Sequence, residues 1–144
     1  MSKKNLFRIA VIDGQGGGIG AQIVEKLAMA LPSTKVEIIA LGTNALAASR
    51  MYKAGANELA SGESAIVYNA QRADLLVGTV GMIMPFGFGG EMTTVAAEAV
   101  ALAPVPKYVL HLNRSGVEII GGASEPLPHL VDMLVQRVRD LLDL

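Results

Sequence analysis

The stretch from Arg8 to Ala28, RIAVIDGQGGGIGAQIVEKLA, limits the fold of this chain more than any other feature. An apolar run of buried-strand length, Leu6–Asp13, meets five glycines between Gly14 and Gly20. A helical pattern follows, with Ile19, Ile23, Val24, Leu27 and Leu31 on one face and Pro32 closing it. A strand that enters a helix through glycines opens a βαβ unit, and such units build parallel sheets covered on both faces.

The alternation continues along the chain. KVEIIALG (Lys35–Gly42) reads as a second strand, and Thr43 or Asn44 can cap a short helix that stops near Gly55. ANELA (Ala56–Ala60) reads as a brief third strand. Ser61 is placed to cap a helix to about Arg72, with Glu63 near its positive end. ADLLVGTVG (Ala73–Gly81) is a fourth strand that runs into a second glycine-rich loop, and a helix from about Glu91 ends before Pro104. KYVLHL (Lys107–Leu112) is a fifth strand, and VEIIG beyond the NRSG turn is a candidate edge strand. A last helix carries Leu127, Leu130, Val131, Leu134, Val138, Leu141 and Leu142 in one stripe, with Pro126 and Pro128 in its opening turn. Right-handed crossovers then predict a single α/β domain over residues 1–144, Rossmann-like and doubly wound, with strand order 3-2-1-4-5.

Composition narrows the partners. The chain has 144 residues, 51% hydrophobic and 17% charged, with a net charge of −1 and no basic stripe, which argues against nucleic acid. A mean hydropathy of +0.44 is high for a water-soluble domain and points to a homo-oligomer that hides further apolar surface. The uncharged run Leu75–Gly90 contains five glycines and a proline and falls short of the about 20 apolar residues of a membrane span. Lys3 and Lys4 precede an apolar run as in a signal peptide, but Asp13 interrupts it and no small-residue cleavage site follows. A cytoplasmic location is the expectation. With no cysteine, disulfides, thiolate metal sites and cysteine nucleophiles are excluded, and the two distant histidines make no zinc site.

Ten of the sixteen glycines fall in two segments, Gly14–Gly20 and Gly78–Gly90. These follow strands one and four, which the inferred order makes neighbours where the winding reverses. Ligands of open α/β sheets bind in that crevice. Backbone N–H groups near Gly18, Ile19 and Gly20 would carry the positive end of the first helix toward an anion. The expected ligand is therefore a nucleotide, with Gly14, Gly16, Gly17, Gly18, Ile19 and Gly20 around its phosphates. Thr43 and Asn44 would face a ribose, and Gly78, Thr79 and Gly81 would permit close approach on the other side. Met82, Met84, Phe86 and Phe88 in the second loop suit a pocket wall, a lid or a subunit contact. Glu91, Thr93 and Thr94 open the next helix, as a second anion site or as simple caps. Arg50 and Lys53 read as solvated surface charges.

Gly14-x-x-x-Gly18-Ile19-Gly20 resembles the cofactor loop of short-chain dehydrogenases over about the first 30 residues, which implies NAD or NADP. The whole chain, with VIDGQGGGIG, EIIALGTNALA and KAGANELASGE, is more similar to a family of short bacterial Rossmann-like proteins described as a domain of unknown function. That likeness implies the fold and no particular activity. Asp13 replaces the threonine usual in the dehydrogenase loop, as an Asx-type turn cap or as a catalytic or metal-binding carboxylate. The second strand ends ALGTN, without the acid that grips a ribose 2′-hydroxyl, which removes an objection to NADP. Tyr68 and Arg72 have the spacing of the dehydrogenase tyrosine–lysine pair but lie on the wrong element. A P-loop would need a lysine where Ala21 and Gln22 stand, and a methyltransferase-like loop fails at the missing acid after strand two.

His111, Asn113, Arg114 and Ser115 end the fifth strand, and His111 is the one catalytic candidate, set against a plain strand residue. Tyr108 starts that strand, and His129 reads as surface. The sequence thus predicts a nucleotide-binding protein, with NAD(P) foremost, that acts as a sensing or accessory module. The alternative is a small NAD(P)-dependent oxidoreductase whose substrate site another subunit completes.

Overall fold

Two parallel strands form the centre of the computed structural model, which describes residues 5–122 and 124–144. β1 (Phe7–Asp13) lies beside β2 (Val36–Gly42), with Phe7 opposite Val36 and Asp13 opposite Gly42. β2 is buried at every position and β1 from Ile9 onward. β3 (Glu58–Ser61), β4 (Leu75–Gly78) and β5 (Lys107–Val109) complete an all-parallel sheet of order 3-2-1-4-5. The expected topology is realised, and the winding reverses between β1 and β4. Lys3 and Lys4 lie outside the described residues.

Strand alternation sorts β1 into two cores. Ile9 and Val11 face α1 (Gly18–Ala30) and α5 (Leu127–Leu142), where Ile23, Val24, Leu27, Leu130, Val131, Leu134 and Val138 are buried. Ala10 and Ile12 face α3 (Glu63–Ala70) and α4 (Thr94–Leu102) through Ile66, Ala70, Ala96, Ala97 and Val100. α2 (Ala45–Lys53) packs beside α1 and sends Met51 into the first core. Each fully buried aliphatic side chain contributes roughly 1.5–3 kcal/mol, so the two faces hold the sheet between helical layers. Among the described residues, no helix is long and apolar enough to cross a membrane.

Some local expectations change. Asn44 caps α2 as anticipated, its Oδ1 accepting from the Ala47 N–H at 2.8 Å. Ser61, read as the cap of α3, is instead paired in β3 opposite Gly42, and Gly62 stands at the N-cap position. α4 begins at Thr94 rather than near Glu91, because Thr93 Oγ1 accepts from Ala96 N–H and sets the start. β5 stops at Val109, short of Leu112. VEIIG forms no strand: Ser115, Gly116 and Gly121 are left-handed, and the Ile119 N–H that a ladder would use goes to Asn113 Oδ1.

Candidate functional site

The first glycine segment is built around Asp13. Its Oδ1 accepts from Gly14 N–H at 2.8 Å and its Oδ2 from Gly20 N–H at 2.7 Å. One buried carboxylate thus pins both ends of the loop, the Asx-type role among the two readings of this residue. Burial raises its pKa, against the lowering effect of those two N–H donors and of the charge of Arg114.

The glycines divide by task. Gly17 has φ +72° at the N-cap of α1, and a Cβ there would meet the backbone of Ala47 at 2.8 Å. At Gly20 a Cβ would meet Met51 Sδ at 2.5 Å and Asp13 at 2.8 Å. These two let α1 approach α2 and the end of β1. Gly16 and Gly18 are different, since a Cβ on either would meet only the Arg50 guanidinium, at 3.8 Å and 3.4 Å. Arg50 was expected to be a plain surface charge. It is exposed, and it lies along the loop, its Nη1 donating to Gly16 O at 3.4 Å. Gly20 N–H, expected to be open to an anion, is taken by Asp13. The N–H groups of Gly18 and Ile19 have no partner among the described residues.

The second segment folds back on the first. After a 3-10 turn, Val80–Ile83, the chain forms a knot of hydrogen bonds in which Phe86 N–H donates to Met92 O at 2.7 Å and Met92 N–H to Gly87 O at 2.9 Å. Phe86 and Phe88 are both left-handed, with φ of 64° and 57°, a costly region for bulky residues. The Phe88 side chain lies where a Cβ on Gly14 or Gly81 would be, and Gly87 lies against the Gly81 carbonyl. Gly78 lets β4 pass close to the Ile12 carbonyl. The close approach expected at Gly78 and Gly81 is therefore made by the protein itself.

Glu91 joins the two segments. Its Oε1 accepts from Gln15 N–H at 2.8 Å, from the Thr43 hydroxyl at 2.5 Å and from the Asn44 amide at 2.9 Å. The hydrogen bonds of Thr43 and Gln15 lower its pKa, so the carboxylate is ionised at neutral pH. Thr43 and Asn44, expected to face a ribose, face Glu91. The sequence offered no signal for this contact, because Glu91 is 76 residues from Gln15.

Between the two segments a cavity of about 310 Å³ remains, with Asp13, Ile19 and Thr79 in its walls, Phe88 at its side and Arg114 and Ser115 at its rim. This is at the small end of the range of ligand pockets, about 300–1,000 Å³. The crevice gathers both glycine segments and Arg114. It does not gather His111, which lines cavities between β5 and α5 and beside Ile119 and Gly122. The imidazole packs against Gly122, and its Nε2 is buried without a hydrogen-bond partner among the described residues. Tyr108 lines the β5–α5 cavity too, while His129 pairs with Glu125 at 2.7 Å on the surface. Tyr68 of α3 and Arg72, just past the end of that helix, form an exposed cation–π contact at 5.0 Å.

The fold and crevice define a Rossmann-like α/β protein whose switch point lies between two glycine-rich loops. Residues 8–143 match the family described as Domain of unknown function (DUF3842), and the chain belongs to that family. No curated protein matches it. Among solved structures, a universal stress protein in complex with cAMP is similar at 20% identity, over 74% of this chain and 98% of that chain, with a TM-score of 0.42.

Proposed function

We propose that this protein is a nucleotide-binding module that holds a phosphorylated nucleotide, with NAD(P) foremost, in the crevice between its two glycine segments. The observation that carries the reading is the remaining cavity at the switch point. There Ile19 of the first turn of α1, whose N–H is unpartnered among the described residues, lines one wall, and Arg114 stands at the rim. Helix N-termini and guanidinium groups both favour phosphate oxygens. Arg50 adds positive charge on the outer side of the loop. Phosphate oxygens would meet Gly16, Gly18 and Ile19, while Gly14, Gly17 and Gly20 shape the loop that presents them. The end of β2 at Thr43 and Asn44 would lie beside the ribose. Gly78, Thr79 and Gly81 would form the far wall with Phe88.

A sensing or accessory role fits this site better than turnover. The one titratable acid in the cavity wall, Asp13, already holds two backbone N–H groups. His111 opens onto other cavities.

Native mass spectrometry of freshly purified protein, followed by a melting screen with NAD(H), NADP(H), ATP and S-adenosylmethionine, tests the reading. A ligand at 100 times its dissociation constant adds about 2.7 kcal/mol of stability. A retained nucleotide mass or such a shift is the expected result. Neither a retained mass nor a shift with any of the four would overturn it.

A further inference from the structure

Three donors from two different βα loops converge on one oxygen, Glu91 Oε1, at 2.5 to 2.9 Å. A neutral hydroxyl placed there carries no charge for the three donors and brings a proton of its own among them. An anionic oxygen accepts from all three, and such charge-assisted bonds are the strong ones. The donors lie at the carboxyl end of β2, where dinucleotide-binding folds hold the substituent on the ribose 2′ position. Arg50, on the helix that follows β2, lies alongside with its guanidinium against the first loop.

Glu91 reaches this position from a segment under backbone strain. Phe86 and Phe88 hold left-handed conformations, and Gln15, whose N–H meets the carboxylate, has φ of 50°. Non-glycine residues in that region persist only where surrounding contacts enforce them, and they cluster at ligand clamps and switch segments. Here the enforcing contacts include the Glu91 carboxylate itself and Phe88 packed against Gly14 and Gly81.

We infer that Gln15 N–H, Thr43 and Asn44 form a subsite for a phosphomonoester, and that Glu91 is its internal occupant until ligand arrives. The ligand is accordingly a nucleotide with a 2′-phosphorylated ribose, NADP rather than NAD, an assignment that rests on the nucleotide reading above. The incoming phosphate takes the three donors and expels the carboxylate, so the segment from Phe86 to Glu91 lifts as the ligand seats. A ribose with a free 2′-hydroxyl has nothing to exchange for the carboxylate and leaves the segment down.

The test compares NADP+ and NAD+ binding to the wild type, Glu91→Ala and Glu91→Ala/Thr43→Val. A tethered group competes at an effective concentration of order millimolar, so its removal raises NADP+ affinity by about tenfold. NAD+ affinity stays unchanged, and Thr43→Val cancels the gain. An equal gain for NAD+, or a gain that survives Thr43→Val, overturns the subsite, because removal of a negative charge alone would produce either. If neither dinucleotide binds any of the three proteins, the NAD(P) reading falls by itself and inorganic phosphate decides the subsite. A phosphate-dependent rise in the melting temperature of Glu91→Ala that Thr43→Val removes upholds it; no such rise refutes it.

Discussion

Asp13 ends β1 and reaches across the whole glycine loop to accept the N–H of Gly20 at 2.7 Å, while its other oxygen holds Gly14. The carboxylate does from inside the protein what an anion would do from outside: it satisfies donors at the start of a helix. The loop is therefore shaped before any ligand arrives, and among the described residues its N–H groups left over are those of Gly16, Gly18 and Ile19.

Removal of this clamp is costly. Asp13→Ala leaves two buried N–H groups unpaired, each worth about 1–3 kcal/mol. Urea denaturation is expected to show a loss of about 2–4 kcal/mol. A loss under about 0.5 kcal/mol, the range of a plain surface change, would show that water replaces the carboxylate freely.

Gly18 and Gly20 separate binding from folding. A side chain at Gly18 meets only the mobile end of Arg50, whereas one at Gly20 collides with Met51 and Asp13. Gly18→Val is expected to melt near the wild-type temperature, with about 0.5–1 kcal/mol lost or gained in the helix, and to abolish any nucleotide-induced shift. Gly20→Ala is expected to lose about 1–3 kcal/mol by overpacking. Thermal melts with and without ligand check both, and a wild-type ligand shift in Gly18→Val would remove the loop from the binding site.

Asp13 and Glu91 respond to acid in opposite senses. The folded-state pKa of Glu91 is lowered from 4.5, first by the Thr43 hydrogen bond, so its stabilising effect is full above that value and is lost as the pH falls through the lowered one. The pKa of Asp13 is raised from 3.8 by burial, so its ionised form costs stability at neutral pH. That cost disappears as the pH falls through the raised value toward 3.8. In melts between neutral and acid pH, the advantage of the wild type over Glu91→Gln is expected to narrow on acidification. Relative to Asp13→Asn, the wild type is expected to gain. Parallel curves for all three proteins would contradict both assignments.

Phe86 is 71% exposed and left-handed, so its aromatic ring recovers little for the strain of its backbone. Asparagine tolerates that conformation, and Phe86→Asn is expected to gain about 0.5–1 kcal/mol. Phe88 is the opposite case, since its ring packs against the core cluster of Ile12, Met82 and Met92. Phe88→Ala is expected to lose about 1–3 kcal/mol and to widen the crevice. Equilibrium unfolding of the two variants checks the contrast, and a loss on Phe86→Asn would mean that the ring has a packing role.

The local pattern of the chain was sufficient for the sheet. Apolar runs with period-two sorting, as in Ile9 to Ile12, and helical stripes, as in Leu27 or Leu134, report which face is buried without reference to any distant residue. Once those elements alternate, handedness leaves few orders for the strands, and the switch point between β1 and β4 follows. Local rules failed where a distant partner outbid them. Ser61 looks like a helix cap, yet its backbone pairs beside Gly42. Val117 to Gly121 alternates like a strand, yet Asn113 takes the Ile119 N–H.

The sequence by itself determined that two glycine-rich turns would meet at one crevice, because that depends on strand order and on the flexibility of glycine. Only the tertiary structure decided what fills the crevice. Glu91 and Phe88 reach Gln15 and Gly14 through space from the far side of the switch point, and Arg50 swings from α2 onto the loop. Contacts of that kind depend on exact distances between elements far apart in the chain, which no residue pattern encodes.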